Sequence, residues 1–123
     1  MREIEIRGKQ INSKEWSYGN LVVKKSEVAI ITPDDTPLGK YGQVDIETVG
    51  QYTGLKDKNR VKIYEGDILN HDGDLWLVEY SNKDGMFTLK WEDVLENFSN
   101  MNSKWFGVYG NTIDNPELLE DNK

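Results

Sequence analysis

A chain of 123 residues with four Trp, six Tyr, three Phe and no Cys is sized for one folded domain with a real core. The absence of thiols excludes disulfides, thiolate metal sites and a cysteine nucleophile, and no apolar run approaches the roughly 18 residues of a membrane span. The net charge of −7 is uneven: residues 1–62 hold 11 Lys/Arg against 9 Asp/Glu, net +2, whereas residues 63–123 hold 4 against 13, net −9. The second half should therefore repel nucleic-acid phosphates and suits either solubility or a basic protein partner.

In chain order, Met1 to Arg7 alternates charge with Ile4 and Ile6, the period of a half-buried strand. It lacks the apolar stretch of a signal peptide, so the cytoplasm is the expected compartment. A second strand is predicted over 15–23, with apolar groups on both faces and cover expected on both sides. Gly19 inside it predicts a bulge or a close backbone approach. Val28 to Thr32 is a third strand, and residues 33–42, rich in Pro, Gly and Asp, read as a loop. Residues 44–46 and 48–53 follow as short extended pieces, then a polar turn over 54–60.

Residues 61–91 read as a meander, with Asp72-Gly73 and Asp84-Gly85 as primed hairpin turns. Trp91, Val94, Leu95 and Phe98 at i, i+3, i+4 and i+7 predict a short amphipathic helix. A last strand is expected over 105–109. Asn115-Pro116 then opens a short helix, with Asn at the N-cap and Pro at the first helical position, and the end of the chain is expected to fray. The pattern predicts a mainly β fold: an SH3-like barrel or meander near residues 60–110 packed with N-terminal strands, plus minor helices. It forms a single domain over 1–123, with sub-lobes at 1–55 and 60–119.

Several segments together resemble the YopX-like family of bacteriophage and prophage proteins. They are Ile6-Arg7-Gly8-Lys9, then Trp16-Ser17-Tyr18-Gly19-Asn20-Leu21, then the long run from Thr48 to Asn59. Ile63-Tyr64-Glu65-Gly66-Asp67-Ile68, Gly110-Asn111 and Asn115-Pro116-Glu117-Leu118-Leu119 complete them. The resemblance implies a mainly β phage or prophage protein in a bacterial host cell, with no assigned activity. The chain departs from the family pattern at Arg60, where Gly often follows the Asn. An Arg there tolerates positive φ poorly.

Each candidate site also has a structural role open to it. His71 stands alone among Asn70, Asp72 and Asp74, without an EF-hand order or a second His, so a polar turn outweighs a metal site. No Gly-x-Ser-x-Gly elbow and no phosphate-binding glycine loop occur, and no cofactor is implied. Glu65 and Asp67 can form an acid–base pair, or Asp67 can accept main-chain N–H groups in a turn. Lys56, Lys58, Arg60 and Lys62 form a local cluster of net +3 around Asp57, a nucleic-acid patch or a solvated loop. Arg7, Gln51, Tyr52, Tyr64, Glu65 and Asp67 make up the candidate interaction surface, with Tyr52 and Arg7 as exposed contacts and Trp16 as core. The leading reading is a non-enzymatic module binding a protein, itself or a host or phage factor, with homo-oligomers formed through edge strands. Nucleic-acid binding through 56–62 is the alternative, and an enzyme built on Glu65 and Asp67 is weaker.

Overall fold

Strand-forming alternation and tight turns account for nearly every element. The computed structural model describes residues 3–33, 39–99 and 102–120. The chain forms two compact units, Met1–Tyr52 and Thr53–Lys123.

In the first unit β1 (Ile6–Lys9) lies between β2 (Trp16–Lys24) and β5 (Gly50–Lys56), and β3 (Glu27–Thr32) and β4 (Lys40–Gln43) extend the antiparallel sheet beyond β2. Val28, Ile30 and Val44 form its small core, with Ile6 and Val49 packed against them. Gly19 fulfils the expected close approach: a Cβ there would lie 2.1 Å from the Ile31 carbonyl oxygen. Four expectations are corrected. The first strand lies at Ile6–Lys9 and not over residues 1–7, because pairing with β2 and β5 begins at Ile6, and Ile4 is exposed while Arg7 is buried. β2 is not covered on both sides, because Tyr18, Leu21 and Val23 are exposed. Residues 40–43 form an edge strand rather than part of a loop, while 34–38 lie outside the described residues. Ile46–Thr48 is a single 3-10 turn, since Asp45 Oδ1 accepts the Glu47 N–H and pulls the chain out of extension.

In the second unit the end of β5 is followed by β6 (Lys62–Tyr64). β7 (Asp67–His71), β8 (Asp74–Ser81), β9 (Met86–Trp91) and β10 (Val94–Asn97) then form an antiparallel meander. β11 (Gly107–Asn111) adds beside β7, giving the order β10-β9-β8-β7-β11. The mainly β expectation holds. Among the described residues this sheet is open, with β10 and β11 as its edges and no pairing that closes it into a barrel. Asp72 and Gly73 adopt φ of 52° and 93°, the primed turn expected. Asp84-Gly85 instead ends a four-residue loop in which the Gly85 N–H reaches the Ser81 carbonyl, with Ser81 Oγ accepting from Asp84 N–H.

The helix expected over 91–98 is a hairpin. Trp91 pairs with Val94, and Glu92 takes the positive φ of 52° that a tight turn demands. Eight residues of helical spacing without caps lose to cross-strand pairing with β9, since so short a helix cannot stand without packing. Phe98 is buried, but Val94 and Leu95 are exposed. The last strand begins two residues later than expected, because Ser103–Trp105 form a 3-10 turn. The C-terminal helix α1 spans Glu117–Glu120, and the expected frayed end, residues 121–123, lies outside the described residues.

The core gathers Ile63, Leu69, Trp76, Val78, Leu89, Phe98 and Phe106. Phe106 is its hub, meeting Trp76 edge-on at 6.1 Å and Phe98 at 6.3 Å between ring centroids. Phe106→Ala removes both contacts, and urea denaturation should read a loss of about 3–5 kcal/mol.

Candidate functional site

The turn after β5 is organised by one side chain. Asp57 is 4% exposed. Its Oδ1 accepts the N–H groups of Asn59 at 2.7 Å and Val61 at 2.9 Å, while Oδ2 accepts the Val108 N–H at 2.9 Å. Backbone bonds from Asp57 N–H to the Val61 carbonyl and from Arg60 N–H to the Asp57 carbonyl close the turn. Lys58 N–H donates to the Phe106 carbonyl, which fixes the turn against the start of β11. Arg60 occupies φ of 66°, so the cationic side chain stands in the left-handed region that the sequence flagged as unfavourable.

The predicted surface does not assemble as a surface. Arg7 and Tyr52, expected as exposed contacts, are buried at 7% and 5% exposure, and Tyr64 and Asp67 are buried as well. Arg7 lies in β1 with its guanidinium 4.6 Å from the Trp16 ring centroid, and Trp16, expected in the core, is only half-buried. The Tyr52 N–H donates to the Glu5 carbonyl. Gln51 and Glu65 are half-buried. Alternation accounts for the burial: a strand residue beside a turn points inward as readily as outward, and the apolar ring area favours inward.

Asp67 is inside the fold, and its Oδ2 accepts the Tyr64 N–H at 2.7 Å across the Glu65-Gly66 turn. Glu65 instead lines a shallow depression of about 260 Å³ with Leu77, Glu79, Tyr80 and Thr112. The two carboxylates therefore do not share one accessible surface, as an acid–base pair would require. His71 Nδ1 lies 3.1 Å from the Trp105 carbonyl, an acceptor only, so this nitrogen carries the proton. Its Nε2 is 3.7 Å from an Asp72 carboxylate oxygen. Among the described residues no three His, Cys, Asp or Glu side chains converge on a common point.

The basic cluster is largely outside: Lys56, Lys58 and Arg60 are exposed and Lys62 is half-buried. Two large rings that the sequence placed in a strand without assigning a face, Trp105 and Tyr109, are also exposed, at 60% and 59%. Phe106 and Val108, between and beside them, pack into the core. No local periodicity assigns the exposure of the two rings, because Trp105 ends a 3-10 turn and Tyr109 sits at a register shift.

The motif at the C-terminal end has the same inward use of polar groups. Asn111 Oδ1 accepts the N–H groups of Ile113 and Asp114, and Asn115 Oδ1 accepts the Asn111 N–H. A Cβ at Gly110 would lie 2.6 Å from Asn115 Oδ1, so the bare glycine is what admits the returning chain.

These features define a mainly β protein of antiparallel sheets in which the motif carboxylates and amides bond to the chain's own backbone. The family profile described as YopX protein matches residues 2–120, nearly the whole chain, and the chain belongs to that family. It is similar over 97% of its length to the crystal structure of protein EF1440 from Enterococcus faecalis, of which it covers 99%, at 28% identity and a TM-score of 0.70. No curated protein matches the chain.

Asp57→Asn turns an amide N–H₂ toward one of the three donors. Each buried N–H left without an acceptor costs about 1–3 kcal/mol, so chemical denaturation should show a loss of about 1–3 kcal/mol. Arg60→Gly should shift stability the other way by up to about 1 kcal/mol, because it relieves the left-handed penalty against a smaller entropic cost.

Proposed function

We propose that this protein is a non-enzymatic interaction module of phage or prophage origin, acting in the cytoplasm of the bacterial host, and that it binds another protein chain by adding a strand at β10. The observation that carries this reading is the character of that edge. All four residues of β10 are exposed, and Leu95 is 63% exposed. Among the described residues no strand flanks β10 on the side away from β9. Edges are blunted by shortness, charge, Pro or a bulge. β10 is short and carries Glu96, but it has no Pro and no bulge, and it presents Val94 and Leu95 in regular register with β9.

The partner strand is supplied by a second copy or by a host or phage factor. Main-chain bonds would give the affinity, and the flanking side chains the selectivity. Glu92, Asp93 and Glu96 surround the edge, so a strand with cationic flanks fits it best. A four-residue edge offers few bonds, and a modest, reversible affinity is expected.

Light scattering across a concentration series, together with partner recovery from phage-infected cells, tests the reading. Leu95→Lys sits on an exposed position and should leave folding intact while abolishing self-association or capture of the partner. A strict monomer that recovers no partner, or binding indifferent to Leu95→Lys, would sink the proposal.

A further inference from the structure

Lys56, Lys58 and Arg60 leave β5 and turn back along β11, held there by the Asp57 carboxylate on the Val108 N–H and by the Lys58 N–H on the Phe106 carbonyl. Phe106 is buried and Val108 packs against the core. Trp105, at the end of the 3-10 turn before β11, and Tyr109, in β11, are both more than half exposed. Tyr109 is the extra residue between the Val108 and Gly110 pairings, where the register shifts. Between the two rings stands Gly107. A Cβ there would lie 3.3 Å from Lys58 Cε and 3.9 Å from Asn59 Nδ2, so the Lys58 stem and the Asn59 amide lie over the gap.

The result is a row: ring, cation, ring. Its ends are four residues apart in the chain, one in the 3-10 turn that enters β11 and one at the register shift within it. Exposed Lys104 precedes the row and exposed Arg60 follows Asn59. Among the described residues Lys56, Lys58, Arg60 and Lys104 have no ion pair. The carboxylate nearest in sequence to the first three, Asp57, faces inward and is committed to backbone N–H groups.

We infer that this Trp105–Lys58–Tyr109 face binds single-stranded nucleic acid, with bases stacked on the two rings and phosphates on the cations. It is a site separate from the β10 edge. The chemistry favours a single strand over a duplex, because stacking on a protruding ring needs a base free of its neighbours. It favours a sequence-tolerant mode, because rings and cations read π faces and charge and present no hydrogen-bond code. It also implies strong salt sensitivity. A chain of net charge −7 gains no long-range attraction, so affinity rests on the local cations.

Fluorescence anisotropy with a short labelled oligo-dT strand, its duplex with oligo-dA, and polyglutamate as competitor tests the site on the full chain. With three phosphates neutralised, log affinity should fall with log salt at a slope of about −2, or about 15-fold between 50 and 200 mM salt. Trp105→Ala should weaken binding about ten-fold. Lys58→Gln should reduce the slope by about 0.7. Tyr109→Ala serves as the second ring variant if Trp105→Ala disturbs the circular dichroism spectrum. Binding of the duplex as tight as the single strand, or insensitivity to both ring variants, overturns the inference. Displacement by polyglutamate at equal charge concentration also overturns it, and would assign the face to an acidic protein segment.

Discussion

The carboxylate of Asp57 joins segments 51 residues apart in the chain, and the second unit depends on that junction. An ionised carboxylate bonded to several backbone N–H groups makes stronger hydrogen bonds than a neutral acceptor, and burial away from water strengthens them further. Three donors converge on Asp57 from its own turn and from β11. The same arrangement closes a polar turn that has little apolar area of its own, and it fixes the edge strand β11 whose other side pairs with β7. Without it, the stretch after β5 would hold Arg60 in a costly backbone conformation with nothing to compensate.

The other motif residues repeat that logic on a smaller scale. Asp67 accepts the Tyr64 N–H across a turn, and Asn111 and Asn115 bond to backbone around the last bend; outside the motifs, Asp45 shapes the 3-10 turn of the first unit in the same way. Short polar side chains are suited to this, since they reach backbone groups two to four residues away. A polar residue committed to backbone has little capacity left for a ligand. The short polar residues of the family motifs therefore specify turns, and they are a poor guide to what the chain binds.

Much of the fold was legible in the sequence for the same reason. Alternation located β3 and the β7–β9 meander, and Asp72-Gly73 marked a primed turn, because both signals are local; it misplaced β1, which runs later in the chain with Ile4 exposed and Arg7 buried. The helix expected over 91–98 shows where locality fails. A period of 3.6 over about two turns also describes a hairpin with apolar residues on both arms, and only pairing with β9 decides between them. The candidate surface failed differently. Residue type marks Arg7, Tyr52 and Tyr64 as good contact residues, but type does not say which way a strand side chain points, and all three point in. Asp57 was visible only as one acid among bases. Its partner on β11 is too distant in sequence for any local pattern to reveal.

Trp105 and Tyr109 carry the argument from fold to surface. Both are exposed beside Phe106 and Val108, which enter the core; Trp105 projects from the 3-10 turn before β11 and Tyr109 from the register shift within it. The core thus fixes the position of the outward rings without fixing their identity. Changing an exposed strand residue away from caps and buried networks typically alters stability by no more than about 0.5 kcal/mol. The binding face can accordingly vary almost independently of the fold. The carboxylate that anchors β11 cannot, since the orientation of every outward side chain on that segment is set by where its backbone is held.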